Sequence, residues 1–264
     1  MHHQRIQLPF CPMDAYIPTL KTAPGQKRPS VVICPGGGYE FLSDREAEPI
    51  ALAFAARGFN AYVVWYRVAP NRHPAPLMDV ASAVAWVRAH AGDFSADENA
   101  IAVMGFSAGG HAAGHLGVRW QEEALMDSLG YPCEAVRPNA MVLCYPVITG
   151  GEFAHRGSFR SLTGQEDVAP HTGYSLETLV TDQTPPTFLW HTFEDDVVPV
   201  ENTLLMAGAL RQHGVLTEVH IFPRGGHGLA LANPLTSDWP DQNIPECAQW
   251  VDLAARFLRG VMLK

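Results

Sequence analysis

The stretch Ile101-Ala102-Val103-Met104-Gly105-Phe106-Ser107-Ala108-Gly109 decides the fold of this chain. Its apolar start predicts a buried strand. The glycines on either side of Ser107 predict a turn in which backbone segments approach too closely for a Cβ. A helix then begins, and the amide of Ala108 would face an anion that forms beside the serine. This order of strand, strained turn and helix exposes a serine hydroxyl at the edge of a sheet, although small residues also occur at such junctions for packing alone.

Composition limits the class of protein. The chain has 264 residues, of which 47% are hydrophobic and 17% charged, which suits a large globular domain. Its net charge is −9 and no basic cluster occurs, so neither nucleic acid nor an anionic membrane is an expected partner. No apolar run approaches the roughly 20 residues of a membrane span.

The N-terminal residues and the cysteines indicate the cellular compartment of the protein. The first residues contain no apolar segment of the kind found in secretory signals. Five cysteines are present, and Cys34 and Cys144 lie inside apolar strands, which is typical of reduced thiols. We therefore expect a cytoplasmic protein, and the sequence leaves a homo-oligomer open.

Predicted strands and helices alternate along the chain. Continuously apolar strands separated by amphipathic helices predict a mostly parallel sheet of about eight strands in an α/β fold, with helices on both faces. A capping-box spacing at Ser43 and Glu46 predicts the start of one helix. We expect one domain over residues 1–264, with a small cap insertion or a surface excursion at about residues 149–183. The predicted strands cover residues 6–8 and 16–20 as an antiparallel edge, and 30–34, 60–65, 101–104, 140–144, 187–191 and 215–222.

Two further polar residues follow predicted strands, where the chemistry of such sheets collects. A serine hydroxyl needs a base, normally a histidine that a carboxylate orients. His227 lies between glycines shortly after the last strand, and Asp195 lies in an acidic loop after the preceding one. Asp196 remains the alternative orienting carboxylate. The order Ser107, Asp195, His227 matches the Ser, Asp, His order of one class of hydrolases.

A glycine triplet provides the second half of an oxyanion hole. Residues 36–38 follow the predicted strand 30–34, and glycine lets a backbone amide approach a substrate oxygen. Gly37 and Gly38 are both candidates beside Ala108. The triplet has neither the spacing of a dinucleotide fingerprint nor a P-loop lysine, and no cluster has metal-ligand spacing, so we expect no cofactor and no metal.

These motifs together resemble cytoplasmic serine esterases of the α/β-hydrolase superfamily, close to the acetyl xylan esterase-like and bifunctional acetyl/feruloyl esterase group. Pro35 stands where wider esterase patterns have a histidine, and Thr192 where a glycine is commoner. The resemblance implies a short-chain ester hydrolase, acting on acetyl groups of xylo-oligosaccharides or related sugars. The matching segments are Val31–Tyr39, Tyr66–Pro70, Gly105–His111, Pro185–Thr192, Val198–Asn202 and Ile221–Gly228.

Other residues have two interpretations each. Tyr39 either lines a substrate pocket or packs under the glycine loop, and Trp239 is a candidate for stacking on a sugar. His111, one turn beyond Ser107, is expected to pack inside the helix layer and not to act as the base. Two other functions stay open, namely a serine peptidase of the prolyl-oligopeptidase type and a non-catalytic ligand receptor. The first normally carries an additional domain, and the second tends to lose a triad residue.

Overall fold

The computed structural model describes residues 1–19, 26–165 and 172–263. Within them eight strands form one sheet in the order β1-β2-β4-β3-β5-β6-β7-β8. The strands are β1 His2–Gln7, β2 Pro12–Ile17, β3 Arg28–Cys34, β4 Asn60–Val64, β5 Ala96–Phe106, β6 Ala140–Cys144, β7 Thr187–Thr192 and β8 Thr217–Phe222.

The helices cover both faces of this sheet. They are α1 Glu48–Ala55, α2 Ala75–Ala89, α3 Ala108–Arg119, α4 Glu123–Leu129, α5 Cys133–Val136, α6 Arg156–Thr163, α7 Glu201–Gln212, α8 Pro245–Ala248 and α9 Trp250–Met262. Among the described residues, no helix is long and apolar enough to cross a membrane.

The strand directions confirm the predicted α/β class. β1 and β2 pair antiparallel, β2 joins β4 antiparallel, and β3 to β8 run parallel. Parallel strands are buried on both sides, and the interior of β5 is accordingly apolar from Ala100 to Phe106. One core lies under α1 and α9 around Phe54 and Trp250, and the other lies under α2 and α3 around Val84 and Leu116.

The capping box predicted at Ser43 is wrong. The Ser43 side chain makes no capping hydrogen bond, and residues Asp44–Glu46 form a single 3-10 turn before α1 begins at Glu48. The Glu46 carboxylate is buried and accepts hydrogen bonds from elsewhere in the fold. It is therefore turned away from the position that a capping box requires.

The segment predicted as a cap insertion is partly described. Residues 149–165 include α6, and residues 172–183 include two 3-10 turns, Thr172–Tyr174 and Leu176–Thr178. Residues 166–171 lie outside the described part of the chain, as does residue 20 at the end of the second predicted edge segment. The role of this segment stays a prediction.

Candidate active site

Ser107 lies between the end of β5 and the start of α3. Its backbone has φ 53° and ψ −121°, a strained combination for a residue with a side chain. A Cβ at Gly105 would overlap the carbonyl of Gly109, and a Cβ at Gly109 would overlap the carbonyl of Cys34. The two glycines are therefore required by backbone packing, which confirms the strand-turn-helix geometry predicted for this stretch.

The structure brings Ser107, His227 and Asp195 together. Nε2 of His227 lies 2.8 Å from Oγ of Ser107, and its Nδ1 lies 2.7 Å from Oδ2 of Asp195. The carboxylate only accepts, so Nδ1 carries the hydrogen and Nε2 accepts from the serine hydroxyl. This tautomer is the one in which an imidazole removes a proton from serine. Asp196, the alternative carboxylate, is exposed.

Asp195 is held by four donors. Its Oδ1 accepts from the amides of Val197 and Val198, at 3.1 and 2.9 Å. Its Oδ2 accepts from His227 and also from Nε2 of His191, at 3.1 Å. Burial alone would raise the pKa of Asp195, but the hydrogen bonds from the two histidines outweigh it and hold that pKa well below its usual value. The carboxylate is therefore ionised throughout the neutral range.

His191 is a residue that the sequence analysis missed. It lies one residue before the end of β7, is fully buried, and its Nε2 also lies 2.9 Å from the carbonyl of Val198. Because both neighbours of Nε2 are acceptors, this nitrogen carries the hydrogen, and Nδ1 accepts from the hydroxyl of Thr203 at 2.8 Å. A histidine inside an apolar strand, four residues before an aspartate, was the available signal.

Thr192 and Glu194 position the loop that carries His227. The hydroxyl of Thr192 donates to the carbonyl of Gly225 at 2.6 Å, and the amide of Gly225 donates to Glu194 at 2.9 Å. Gly225 has φ 119°, which glycine adopts readily. The threonine that replaces the commoner glycine thus anchors the histidine loop to the end of β7.

The glycine loop is supported by two buried side chains. Glu46 accepts from the amide of Gly36 at 2.8 Å, and the hydroxyl of Tyr66 donates to the carbonyl of Pro35 at 2.6 Å. Both side chains are buried, and burial raises the pKa of Glu46. They fix the loop at the position where Pro35 replaces the histidine of wider esterase patterns.

The amides of Gly37, Gly38 and Ala108 are the predicted donors to an oxyanion. Ala108 is the first residue of α3, where a helical amide has no acceptor one turn back. Among the described residues, no hydrogen-bond acceptor meets the amides of Gly37 and Gly38, whereas the amide of Gly36 is already bound to Glu46. Gly37 and Gly38 line the same cavity as Ser107. Their role as donors stays a prediction.

Tyr145 joins the glycine loop to the histidine loop. Its hydroxyl donates to Glu46 at 2.7 Å and accepts from the amide of Ala230 at 2.9 Å. Its ring lies edge-on to the imidazole of His227, with 5.2 Å between ring centroids. Glu46 and Tyr145 were both missed as site residues, because a glutamate near a helix start and a tyrosine after a strand have many other uses.

A cavity of about 610 Å³ opens above Ser107 and His227. Polar side chains and apolar surface both line it, and the exposed ring of Phe41 faces it. The polar side chains that line it, besides those of Ser107 and His227, belong to Glu40, Ser43, Arg45, Glu46, His155 and Asp238. Arg45 and Asp238 form an ion pair of 3.2 Å at this rim.

The structure corrects one predicted pocket residue. Tyr39 is buried under the glycine loop, and its hydroxyl lies 2.8 Å from Nδ1 of His111. It supports the loop from below and does not line the cavity, because its hydroxyl is already bound within the core. His111 is fully buried, and its Nε2 faces the carbonyl of Tyr174, which places it away from Ser107 as a base. Trp239 is 69% exposed beside Asp238, and its role stays a prediction.

His155 lines the cavity from the N-terminal end of α6. It caps the N-terminus of α6, where Nδ1 accepts from the amide of Ser158 at 3.3 Å and lies 2.8 Å from the Ser158 hydroxyl. Nδ1 is therefore an acceptor, and Nε2 carries the hydrogen. Burial lowers the pKa of His155, so the ring is neutral near pH 7 and presents one donor on the cavity wall.

Comparisons with known proteins place this chain in a family. The BD-FAE family model matches residues 13–210. The chain is 40% identical over 212 residues to endo-1,4-beta-xylanase B of Butyrivibrio fibrisolvens, covering 78% of this chain and 33% of that protein. It is 30% identical over 229 residues to an acetylxylan esterase of Xylanibacter ruminicola, covering 84% of this chain and 45% of that protein. The chain thus spans less than half the length of these curated relatives.

A solved structure agrees with this assignment. The acetyl ester-xyloside bifunctional hydrolase of Caldicellulosiruptor lactoaceticus is 40% identical, with a TM-score of 0.82 over 96% of this chain and 89% of that one. The strand order and the strained turn at Ser107 are consistent with the family match, which covers residues 13–210. The chain belongs to the BD-FAE family of α/β hydrolases.

Proposed function

We propose that this protein is a serine carboxylesterase that removes short acyl groups, acetyl above all, from xylo-oligosaccharides or related sugars. The observation that carries the proposal is the continuous path from Ser107 through His227 to Asp195, with contacts of 2.8 and 2.7 Å. These are hydrogen-bond distances already suited to proton transfer.

The reaction follows from this geometry. Oγ of Ser107 attacks the ester carbonyl carbon while its proton moves to Nε2 of His227, giving a tetrahedral intermediate. The amides of Ala108 and of Gly37 or Gly38 stabilise the negative oxygen, and one such donor contributes about 10²–10³ in rate. The carbon–oxygen bond to the alcohol then breaks, and His227 returns the proton to the departing oxygen.

Deacylation repeats these steps with water as the nucleophile. His227 accepts a proton from the water as its oxygen bonds to the acyl carbon, and the released Ser107 oxygen takes that proton back. Asp195 remains ionised and stabilises the imidazolium that forms twice in each cycle. No cofactor enters the proposal.

The cavity supports a sugar as the alcohol part. Polar side chains beside an aromatic ring offer hydrogen bonds to hydroxyl groups and a surface on which a sugar face can stack. Two of the relatives carry acetylxylan esterase and acetyl ester-xyloside hydrolase as names, which favours the same substrate class for this chain. We assign residues 149–183 the role of a cap, with His155 as its donor toward the sugar.

The cysteines favour a cytoplasmic location for the protein. All five are free thiols, and four of them are buried.

An ester panel tests the proposal. Acetyl, butyryl and octanoyl esters of nitrophenol are compared with acetylated xylo-oligosaccharides and with aminoacyl anilides, and Ser107→Ala is the blank. We expect rapid release of acetate from the sugar esters, slow release of long acyl groups and no anilide cleavage. Preferred cleavage of anilides would instead establish a peptidase.

An organophosphonate probe separates catalysis from binding. It should label the wild-type protein once, at Ser107, and leave Ser107→Ala unlabelled. A folded protein that the probe does not label would point to the non-catalytic receptor.

A further inference from the structure

Within residues 1–19, 26–165 and 172–263, no strand pairs with the outer edge of β8, and the sequence of this edge is unusual. β8 ends the sheet and reads Thr217-Glu218-Val219-His220-Ile221-Phe222, without the lysine, arginine or proline that often protects such an edge. The opposite edge, β1, carries Arg5 and four other polar side chains. Leu216 is 61% exposed and Val219 is 37% exposed, so apolar surface accompanies the open backbone groups.

The hydrogen bonds to β7 define which residues of β8 face outward. The carbonyls of Leu216 and Phe222 accept from the amides of Thr187 and Phe193, both at 2.9 Å. Backbone direction alternates along a strand, so the even-numbered residues of β8 bond to β7. The amides and carbonyls of Thr217, Val219 and Ile221 consequently point to the open edge.

We propose that two copies of this chain pair through β8, antiparallel about a two-fold axis at Val219, and so join their sheets into one. In this register Val219 exchanges both backbone hydrogen bonds with the copy's Val219. Thr217 and Ile221 exchange theirs with each other across the interface. Every outward backbone group of β8 then has a partner.

The side chains of β8 are self-complementary in this register. One face of the strand carries the side chains of Leu216, Glu218, His220 and Phe222. On this face, Nε2 of His220 lies 2.8 Å from Oε1 of Glu218 in the same chain. The two-fold axis places Glu218 opposite the copy's His220, and Leu216 opposite the copy's Phe222. Cross-strand polar pairs that share a hydrogen bond and pairs of apolar side chains both stabilise antiparallel strands.

Neighbouring registers lack this match. An axis at Ile221 would bring Pro223, which has no amide hydrogen, opposite Val219. An axis at Thr217 would place Glu218 opposite the apolar Leu216.

The helix α7 flanks this edge on the other face of the strand. It carries the exposed side chains of Leu204 and Leu205, and the cavity beside it is lined by Ala207, Arg211 and Val219. The copy's α7 completes the apolar contact there.

Two substitutions test the interface without touching the bond to β7. Val219→Pro removes an amide that faces outward, so the monomer keeps its sheet and loses the central contact. Glu218→Lys removes the carboxylate that faces the copy's His220, and the double variant Glu218→Lys with His220→Glu supplies an opposite-charge pair in its place. Sedimentation equilibrium should show a dimer for the wild type and the double variant, and a monomer for Val219→Pro and Glu218→Lys.

A control and a crosslink complete the experiment. Leu235→Lys changes a residue that is 71% exposed in a distant loop and should leave the dimer intact. Val219→Cys should form a covalent dimer on mild oxidation, because opposed residues of a hydrogen-bonded pair lie about 5.5 Å apart between Cα atoms, within disulfide range. Circular dichroism checks that each variant is folded. A monomeric wild type, or a dimer that survives both Val219→Pro and Glu218→Lys, would overturn the proposal. Ester hydrolysis is measured separately, so failure here leaves the proposed activity untouched.

Discussion

Nε2 of His191 lies 3.1 Å from Oδ2 of Asp195, the same oxygen that accepts the Nδ1 hydrogen of His227. His191 is fully buried, so we regard it as a positioning residue. Its contribution is to keep a buried carboxylate ionised and oriented toward the imidazole of His227.

Replacing His191 by Phe should therefore raise the pKa of Asp195 and slow catalysis. A hydrogen bond to a charged group contributes about 1.5–3 kcal/mol, which predicts a loss of roughly 10- to 100-fold in kcat. Thr203→Val, which removes only the partner of Nδ1, should have a smaller effect. A kcat of His191→Phe equal to that of the wild type would contradict this role.

Asp195 is buried and Asp196 is exposed, so substitutions at the two positions should affect activity differently. Asp195→Asn places an amide where the carboxylate oriented His227, which predicts a fall in kcat of roughly 10³–10⁴. Asp196→Asn changes an exposed side chain and should retain activity within about twofold. Steady-state kinetics on nitrophenyl acetate compares the two. Equal losses would show that the orienting carboxylate has been misassigned.

Glu46 supports the glycine loop through the amide of Gly36. Glu46→Leu leaves that amide and the Tyr145 hydroxyl without their acceptor, and should lower kcat by about 10²–10³ with little change in KM. Glu46→Gln keeps an acceptor for Gly36 and should stay within about tenfold of wild type. Thermal unfolding is recorded in parallel. A kcat loss that is as large in the glutamine variant would indicate that the negative charge, and not the hydrogen bond, matters.

His155 should distinguish sugar esters from aryl esters. His155→Phe removes the Nε2 donor from the cavity wall, so KM for acetylated xylo-oligosaccharides should rise by roughly 10-fold, as expected for one lost hydrogen bond. KM for nitrophenyl acetate, which has no sugar hydroxyl, should change little. His155→Gln, which retains a donor, is the matched variant. Equal changes for both substrates would remove His155 from the sugar site.

Burial lowers the pKa of His111 to about 4, which links stability to pH. The unfolded chain binds a proton at this residue below its ordinary pKa of 6.5, whereas the folded protein does so only near 4. The free energy of unfolding should therefore fall as the pH falls from about 6.5 to about 4, by at most about 1.4 kcal/mol per pH unit for this group. His111→Gln should flatten that slope, as measured by urea denaturation at several pH values. A slope identical to wild type would assign the pH dependence to other groups.

The sequence predicted the elements whose local signals agree with the global fold. The strand before Ser107, the glycine turn and the order of Asp195 and His227 all follow from backbone packing and from strand ends that meet at one edge. The antiparallel edge of β1 and β2 was also predicted, with boundaries that differ by a few residues.

The remainder depends on contacts between residues far apart in the chain. Ser43 and Glu46 have the spacing of a capping box, but the carboxylate instead binds Gly36 and Tyr145, 10 and 99 residues away from Glu46. Burying a charged group costs free energy unless hydrogen-bonding partners surround it in the fold. The local spacing of residues does not reveal those partners. His191 was missed for the same reason, because its strand reads as apolar core.

The Tyr145 hydroxyl, which bridges Glu46 and Ala230, has a consequence for engineering. The loop that holds the predicted oxyanion donors and the loop that holds His227 share one phenol, so neither is an independent module. Grafting either loop from a relative to alter the substrate range would succeed only if the residues that bond to that loop were transferred as well. Directed evolution of this protein should accordingly find compensating changes at these three positions together.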